Sequence, residues 1–209
     1  AIQYKYTKPT IVKNNKSFVS VEGMRHPIIE RIINTSYVKH KLDIGINSHN
    51  GILLYGLNSA GKSSLMKSVG LNIILAQIGY FVACSKFNFF PYHSIFTRIE
   101  STDNIFKGLS SFALELVELK AILKRSGENT LVLADEVCKG TEHISALVIV
   151  ITMIKMLVKS KTSFISATHL HELTKFDVIK NIENLKVYHL DVLYKNNNII
   201  FNRLLKEGN

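Results

Sequence analysis

The sequence has 209 residues, of which 46% are hydrophobic and 20% are charged, and this composition is typical of a globular domain rather than a disordered chain. Its two cysteines, Cys84 and Cys138, do not have zinc-type spacing, which argues against a disulfide scaffold and a structural zinc site. The net charge of +10 is compatible with scattered solvating lysines and with a basic face for nucleic acid, and the sequence leaves both open.

No segment of the sequence predicts a membrane span or a secretory signal. The longest apolar stretch, 146–154, ends at Lys155 and is well short of the roughly 20 residues that a transmembrane helix needs. The first residues lead directly into polar sequence, unlike a signal peptide. We therefore expect an intracellular protein with no membrane partner, in the cytoplasm, the nucleus, an organelle or a viral factory. Because the chain does not begin with Met, we also expect it to be a piece of a longer protein.

Apolar runs alternate with helical spacings along the chain. In chain order, the pattern predicts two short strands around a turn at Asn14-Asn15 within 11–21, a strand at 51–55, helices at 62–80 and 111–126, a strand at 130–134, a helix at 142–159, a strand at 162–167, a helix at 170–180, and a hairpin of 185–194 with 198–204. This order predicts one α/β domain over residues 1–209, with a mostly parallel sheet flanked by helices and with antiparallel strands at both chain ends.

The segment 56–63 fits the phosphate-loop pattern G-x-x-x-x-G-K-[ST] and lies between a predicted strand and a predicted helix. In this context, successive backbone N–H groups and the helix N-terminus form a cradle for an anion. Lys62 is then placed to reach the β- and γ-phosphates, and the hydroxyl of Ser63 is placed to bind Mg²⁺. The pattern therefore predicts a site for a nucleotide with Mg²⁺.

Two carboxylates, Asp135 and Glu136, follow the apolar run 131–134. In an enzyme with a phosphate loop, the metal-side Asp lies at this point, so Asp135 is predicted to hold Mg²⁺ through water. Glu136 is predicted to act as general base or to orient the attacking water.

His169 follows the predicted strand 162–167, at the strand edge where parallel α/β sheets bind their ligands. A histidine there can hydrogen-bond a γ-phosphate. His171 is one residue into the following segment, and we expect no role for it in the site.

Six segments follow one another in the order known from one protein family. They are R-H-P-x-x-E at 25–30, a loop similar to G-P-N-M-G-G-K-S-T at 56–64, I-F-T-R at 95–98, a segment similar to S-T-F-x-x-E at 110–115, one similar to G-R-G-T at 138–141, and A-T-H-x-x-E-L at 167–173. On these motifs the chain resembles the ATPase domain of the MutS family of DNA mismatch-repair proteins, a P-loop NTPase of the ABC type. The L-S-G-G-Q signature of other ABC-type ATPases does not occur in the sequence.

The resemblance implies a composite active site in a head-to-tail dimer with a second MutS-like subunit. Ser110 and Ser111 would contact the γ-phosphate that the partner holds, although a simple helix N-cap is an alternative interpretation of these serines. The implied ATP-binding residues are Gly56, Leu57, Asn58, Ser59, Ala60, Gly61, Lys62, Ser63, Ser64 and Tyr37, the last by stacking on adenine. The implied catalytic residues are Glu136, His169 and Asn58, with Ser63 and Asp135 at the metal.

The sequence departs from the family pattern at several points. In the loop, residues 57, 59 and 60 are Leu, Ser and Ala rather than Pro, Met and Gly, and Ala60 would be strained only if its φ were positive. Residues 142, 143 and 145 are Glu, His and Ser where the family usually has Ser, Thr and Asp at the partner contact, which puts coupling between the two sites in question.

Two further family features do not occur in the sequence. The chain ends before the family's C-terminal dimerisation helices, and it has no Phe-x-Glu mismatch reader. We therefore expect DNA to be bound through other domains of a parent protein and no mismatch recognition by this chain.

The resulting hypothesis is ATP binding and hydrolysis, with ATP or ADP and Mg²⁺ as ligands, by the motor domain of a MutS-like DNA mismatch-repair protein. Two alternatives stay open. One is another ABC-type ATPase head, such as a chromosome-cohesion ATPase or a transporter motor. The other is a nucleotide-gated dimerisation module with little turnover.

Overall fold

The structure, a computed structural model, describes residues 2–46, 49–99, 111–195 and 198–208. Strands in these ranges form one sheet of six strands and one of four. The strands are β1 (Thr10–Ile11), β2 (Phe18–Met24), β3 (His40–Ile44), β4 (Gly51–Tyr55), β5 (Lys86–Phe90), β6 (Ser94–Arg98), β7 (Thr130–Asp135), β8 (Ser163–Thr168), β9 (Leu185–Lys195) and β10 (Asn198–Glu207).

Three long helices and two short ones connect these strands. They are α1 (Ile29–Ile32), α2 (Lys62–Gln77), α3 (Ser111–Arg125), α4 (His143–Lys159) and α5 (Asp177–Lys180), with 3₁₀ turns at Ile2–Tyr4 and His171–Lys175. The three long helices lie where the sequence pattern predicts them. Within the ranges that the structure describes, none of the helices has the length and apolarity to cross a membrane.

The larger sheet has the strand order β10-β9-β4-β8-β7-β6. All neighbouring pairs in it are parallel except β9 with β10, which form an antiparallel hairpin. A mostly parallel sheet with helices and an antiparallel C-terminal hairpin is the predicted mixed α/β architecture, and it is consistent with a P-loop fold.

The smaller sheet has the order β1-β5-β2-β3 and contains the predicted antiparallel strands near the start of the chain. The two strands predicted within 11–21 occur as β1 and β2, but they do not pair with each other, because β5 lies between them. Strand β5 is not among the predicted strands, although the buried Phe87 and Phe89 alternate there with more exposed residues. Strand β3 and helix α1 are not among the predicted elements either, and α1 has only four residues and so no helical period.

The prediction of one helix over 170–180 is wrong. The segment forms the 3₁₀ turn His171–Lys175 and then α5, and Phe176 between them has an extended backbone with φ −72° and ψ 129°. A residue in that conformation interrupts the i to i+4 hydrogen bonding of an α-helix. The chain therefore bends after the 3₁₀ turn.

The six-stranded sheet separates two apolar cores, because consecutive residues of a strand face opposite sides of a sheet. In β7, Leu131 and Leu133 pack in the core shared with α2 and the smaller sheet, whereas Val132 and Ala134 pack under α3 and α4. Helix α2 approaches the sheet closely at Gly70, where a β-carbon would come within 2.9 Å of Leu133 Cδ1. This packing holds α2, and with it the loop that precedes α2, against the sheet.

Candidate nucleotide-binding site

The three predicted motifs meet at one edge of the larger sheet. Strands β4, β7 and β8 are parallel, so their carboxyl ends lie at the same edge. There β4 leads into the phosphate loop, β7 ends at Asp135, and β8 is followed by His169. The fold thus brings together side chains that are more than 100 residues apart in the chain.

The backbone of the phosphate loop contains three residues with positive φ, namely Gly56 at 148°, Ser59 at 67° and Gly61 at 108°. Glycine adopts such conformations without strain, which accounts for two of the glycines in the pattern. Ala60 is buried and is not one of the positive-φ residues. The replacement of the family's glycine by Ala60 therefore brings no backbone strain.

The ammonium of Lys62 lies within the loop and is only 5% exposed. Its Nζ donates hydrogen bonds to the carbonyl oxygens of Gly56 at 2.7 Å and Leu57 at 3.1 Å, and it lies 3.9 Å from Glu136 Oε1. Burial lowers the pKa of Lys62, while Glu136 and Asp135 raise it in part. The buried cation can neutralise an anion bound to the N–H groups of the loop.

Asp135 has the features of a metal-side carboxylate. It is 8% exposed, and its Oδ1 is buried without a hydrogen-bond partner among the residues that the structure describes. Burial is the largest effect on its carboxyl and raises the pKa, whereas a hydrogen bond from the Ser63 hydroxyl lowers it. An unpaired carboxylate oxygen beside a hydroxyl is an oxygen donor set that suits Mg²⁺. Among the described residues, no cluster of three or more His, Cys, Asp or Glu side chains is arranged to hold a metal ion.

Glu136 lies between three basic side chains. Its Oε1 is 3.9 Å from Lys62 Nζ and 3.9 Å from His169 Nδ1, and its Oε2 is 3.3 Å from Lys139 Nζ. The backbone of Glu136 has a φ of 47°, and its N–H donates to the carbonyl oxygen of Ala167 at 2.9 Å. The carboxylate is therefore fixed at the sheet edge, close to the buried ammonium of the loop.

A cavity of about 700 Å³ opens beside the loop. The predicted residues that line it are Tyr37, Asn58, Ser59, Ala60, Gly61, Lys62, Ser63, Ser64, Asp135 and Glu136. Gly56, Leu57 and His169 do not line it, although His169 contacts Glu136 from outside. Lining residues that the sequence analysis misses include His40, Lys139, Leu190, Phe201 and Arg203.

Tyr37 and Arg203 come to this cavity from opposite ends of the chain. Tyr37 is half-buried, with its hydroxyl 3.2 Å from Ser68 Oγ and its ring edge-on to His40. Burial raises the pKa of Tyr37, and the charge of Arg203 lowers it in part, which places the two side chains near each other. Arg203 has a φ of 58° and lies where the pairing of β9 with β10 shifts register.

The R-H-P-x-x-E segment acts as an anchor for the wall that carries Tyr37. Arg25 Nε donates to Glu30 at 2.6 Å, and Asn72 of α2 donates to the carbonyl oxygen of Arg25 at 3.0 Å. His26 Nδ1 accepts the N–H groups of residues 28 and 29 at the start of α1, and burial lowers the pKa of His26 in keeping with a neutral acceptor. The hydrogen bonds of this motif therefore hold α1 against α2, and we assign the motif a structural role.

The residues predicted to meet a partner subunit are only partly within the described structure. Ser110 lies outside the described residues, and Ser111 is the first residue of α3. In the altered segment after β7, His143 Nε2 lies 2.5 Å from Glu172. This contact joins the start of α4 to the turn that follows His169.

The chain also matches known proteins along its length. The family model described as MutS domain V matches residues 52–209. The chain is 42% identical to a mutS homolog of Acanthamoeba polyphaga mimivirus, 37% identical to the DNA mismatch repair protein MutS of Clostridium botulinum, and 35% identical to the mitochondrial DNA mismatch repair protein mutS homolog of Sarcophyton glaucum. These alignments cover 100% of this chain and 22%, 22% and 21% of the relatives, so the chain spans about a fifth of their length.

The matched region contains the loop, the acidic pair after β7 and the histidine after β8, which are the three segments that the fold brings to one edge. The region of sequence similarity therefore includes all three segments. Since the family model covers well over half of the chain, the chain belongs to the MutS family, and its residues 52–209 are a MutS domain V.

Proposed function

We propose that this chain binds ATP and ADP together with Mg²⁺ and hydrolyses ATP, as the motor domain of a MutS-like DNA mismatch-repair protein. The observation that carries the proposal is the placement of Lys62, Ser63, Asp135 and Glu136 around one cavity beside the phosphate loop. Phosphoryl transfer needs mainly positioning and charge neutralisation from the protein, and these four side chains supply both.

The loop binds the phosphates in this proposal. Its N–H groups and Lys62 hold the β- and γ-phosphates, while Ser63 and Asp135 hold Mg²⁺. When bound, Mg²⁺ neutralises charge on the phosphate oxygens. The Oδ1 of Asp135 supports this assignment, because it is a buried acceptor to which no described group of the protein donates.

Glu136 acts on the attacking water, either by accepting its proton or by orienting it. Its distance of 3.9 Å from the Lys62 ammonium supports this role, since it places the carboxylate beside the phosphates that Lys62 would bind. Asn58 and His169 hydrogen-bond the γ-phosphate. Asn58 lines the cavity, and His169 lies against Glu136.

The adenine base of the nucleotide lies toward Tyr37, whose aromatic ring provides a face on which adenine can stack. Arg203 adds a planar cation to the same cavity, and a guanidinium can also stack on an aromatic ring. The anchoring of α1 to α2 through Arg25 supports a fixed position for this wall.

A second MutS-like subunit completes the site by head-to-tail pairing. Ser110 and Ser111 of one subunit then contact the γ-phosphate in the other, where the N-terminus of α3 favours an anion. DNA is bound through parts of the parent protein other than this chain, and we expect no preference of this chain for mismatched duplex.

Calorimetry with Mg-ATP on Lys62→Ala tests the nucleotide site. Loss of the buried ammonium should weaken binding more than about tenfold, because it removes a charged hydrogen-bond donor to the phosphates. Lys159→Ala, which removes an exposed lysine at the C-terminal end of α4, is the matched control and should bind like the wild type. Equal affinities for Lys62→Ala and the wild type would contradict the assignment of the loop. Tight binding without phosphate release would support the dimerisation module instead.

Dilution tests the composite site. If only the dimer has a complete site, specific activity should fall as the protein is diluted a hundredfold. Ser110→Arg should abolish the concentration dependence and most of the turnover, and Ser126→Arg at the other end of α3 should change neither. Constant specific activity together with a fully active Ser110→Arg variant would mean that each chain is a self-sufficient ATPase.

A further inference from the structure

The turn after β7 is strained at two positions. Glu136 has a φ of 47° and Cys138 a φ of 65°, and neither residue is a glycine. Side chains disfavour this left-handed region, and such residues persist where the surrounding structure holds them in place. Cys138 stands where the family motif quoted above has a glycine. Its side chain therefore makes the left-handed conformation more strained than a glycine would.

Each strained residue has one backbone anchor. The N–H of Glu136 donates to the carbonyl oxygen of Ala167 at 2.9 Å, and the N–H of Cys138 donates to Glu115 Oε1 at 2.9 Å. The first anchor is a backbone contact at the end of β8, which any residue there could make. The second depends on the side chain of one residue on α3.

Glu115 is suited to hold this turn. It is 7% exposed, and the guanidinium of Arg98 lies 3.5 Å from its Oε1. Arg98 also lies 3.4 Å from Glu118, which is one turn further along α3 and half-exposed. The buried charge of Glu115 is thus balanced by Arg98, and its oxygen remains available to the N–H of Cys138.

We propose that Glu115 is a positioning residue for Glu136. By fixing the N–H of Cys138, it holds the strained turn in the conformation that places the Glu136 carboxylate 3.9 Å from Lys62 Nζ and from His169 Nδ1. Glu115 does not line the cavity, so it acts through the turn and not on the nucleotide. The inference rests on the proposed function, since it assumes that Glu136 acts on the water.

One consequence concerns the partner subunit. Helix α3 begins at Ser111, one turn before Glu115. The helix that we propose to meet the partner's γ-phosphate therefore also holds this subunit's own Glu136. If α3 shifts when two subunits pair, the hydrogen bond between Glu115 and the N–H of Cys138 would transmit that shift to the turn that carries Glu136.

The test compares Glu115→Ala, Glu115→Gln and Glu118→Ala by steady-state phosphate release and by calorimetry with Mg-ATP. Glu115→Ala should lower kcat about tenfold to a hundredfold, since small misplacements of reacting groups cost that much. KM and ATP affinity should stay within about twofold. Glu115→Gln keeps an oxygen that can accept the N–H of Cys138 and should retain most of kcat. Glu118→Ala loses only an ion pair with Arg98 and should match the wild type.

A second-site variant separates positioning from general destabilisation. Glycine adopts a φ of 65° without strain, so Cys138→Gly should remove the need for the anchor. The double variant with Glu115→Ala should recover the kcat that Glu115→Ala loses. If Glu115→Ala does not fold alone, the comparison is made in the Cys138→Gly background, where we expect less than a twofold loss of kcat. A loss of tenfold or more in that background would overturn the proposal.

The variant Glu136→Gln distinguishes a failure of the proposed role of Glu115 from a failure of the proposed role of Glu136. If it abolishes turnover while Glu115→Ala keeps the wild-type kcat, the positioning role of Glu115 is wrong and the proposed function stands. If Glu136→Gln leaves turnover unchanged, the role of Glu136 is wrong, and the role of Glu115 falls with it.

Discussion

The cavity has two walls that are built in different ways. The loop wall consists of residues 58–64 with Asp135 and Glu136. These residues lie in the loop between β4 and α2, in the first turn of α2, and at the end of β7 or directly after it. The hairpin wall contains Tyr37, which precedes β3, and Arg203, which is on β10. The loop wall therefore forms from short segments at one sheet edge, whereas the hairpin wall forms only when distant parts of the chain meet.

The two walls also differ in charge and burial. The loop wall holds a buried cation and a buried carboxylate, Lys62 at 5% and Asp135 at 8% exposure. The hairpin wall offers the half-buried ring of Tyr37 and the guanidinium of Arg203. We therefore expect changes in the loop wall to alter the chemistry of the phosphates, and changes in the hairpin wall to alter affinity for the base.

The largest expected effect comes from Glu136→Gln in the loop wall. The substitution keeps the shape of the side chain and removes the carboxylate that we propose to act on the water. ATP affinity should change by less than about threefold, while kcat should fall about 10² or more, the contribution typical of a general base. Phosphate release and calorimetry on the same sample measure the two quantities.

Glu128→Gln is the matched control for this experiment. Glu128 precedes β7 at the strand end opposite to Glu136, and it pairs with Lys161 on the surface at 2.9 Å. Its substitution should leave kcat unchanged. Wild-type phosphate release by Glu136→Gln would show that the loop wall does not carry the chemistry.

The contrast between the walls explains what the sequence could predict. Strand β4, its loop and α2 are continuous in the chain, and the pattern G-x-x-x-x-G-K-[ST] contains both the turn glycines and the phosphate ligands. The parallel order of strands then brings Asp135 and His169 to the same edge. These parts of the fold follow from local runs and from the rules of α/β sheets.

The hairpin wall has no such local signal. Arg203 reaches the cavity because the pairing of β9 with β10 shifts register between Phe201 and Leu205, and no residue pattern in β10 predicts that shift. The R-H-P-x-x-E segment is recognisable as a motif, but its role as an anchor depends on a contact with Asn72, which is more than 40 residues away. Tertiary pairing, rather than propensity, places these residues.

The next largest effect is expected from Tyr37→Ala in the hairpin wall. Loss of the ring should weaken ATP binding about tenfold, because stacking of an aromatic side chain on a base contributes roughly 1–3 kcal/mol. At saturating ATP, kcat should equal that of the wild type, since we propose that Tyr37 contacts the adenine base and not the phosphates.

Tyr37→Phe separates the ring from the hydroxyl. It loses the contact with Ser68 at 3.2 Å and keeps the stacking surface, so its ATP affinity should stay close to that of the wild type. A lower kcat with unchanged KM in Tyr37→Ala would contradict the expectation that the hairpin wall affects affinity for the base and the loop wall affects the chemistry of the phosphates. Titrations of both variants with ATP, followed by calorimetry and phosphate release, distinguish these results.

The smallest effect concerns the stability of the nucleotide-free chain. Burial raises the pKa of Asp135 above its ordinary value of 3.8, so the folded state disfavours the charged carboxylate more than the unfolded state does. Ionised Asp135 therefore costs stability at neutral pH. The cost is absent below pH 3.8, where the group is protonated in both states, and it develops as the pH rises through the raised pKa of the folded state.

Asp135→Asn should therefore raise Tm at pH 7 by a few degrees at most, although it should weaken Mg²⁺-dependent ATP binding. The gain in Tm should shrink as the pH falls toward 3.8, because protonation of the folded state then removes the same cost from the wild type. Asp191→Asn is a control of opposite sign, since hydrogen bonds from Lys206 and Asn202 lower the pKa of Asp191. At pH 7 that variant should lose stability. Thermal unfolding of both variants without nucleotide at pH 4 and pH 7 measures the effect. A lower Tm for Asp135→Asn than for the wild type at pH 7 would contradict the expectation that the ionised carboxylate of Asp135 destabilises the folded chain.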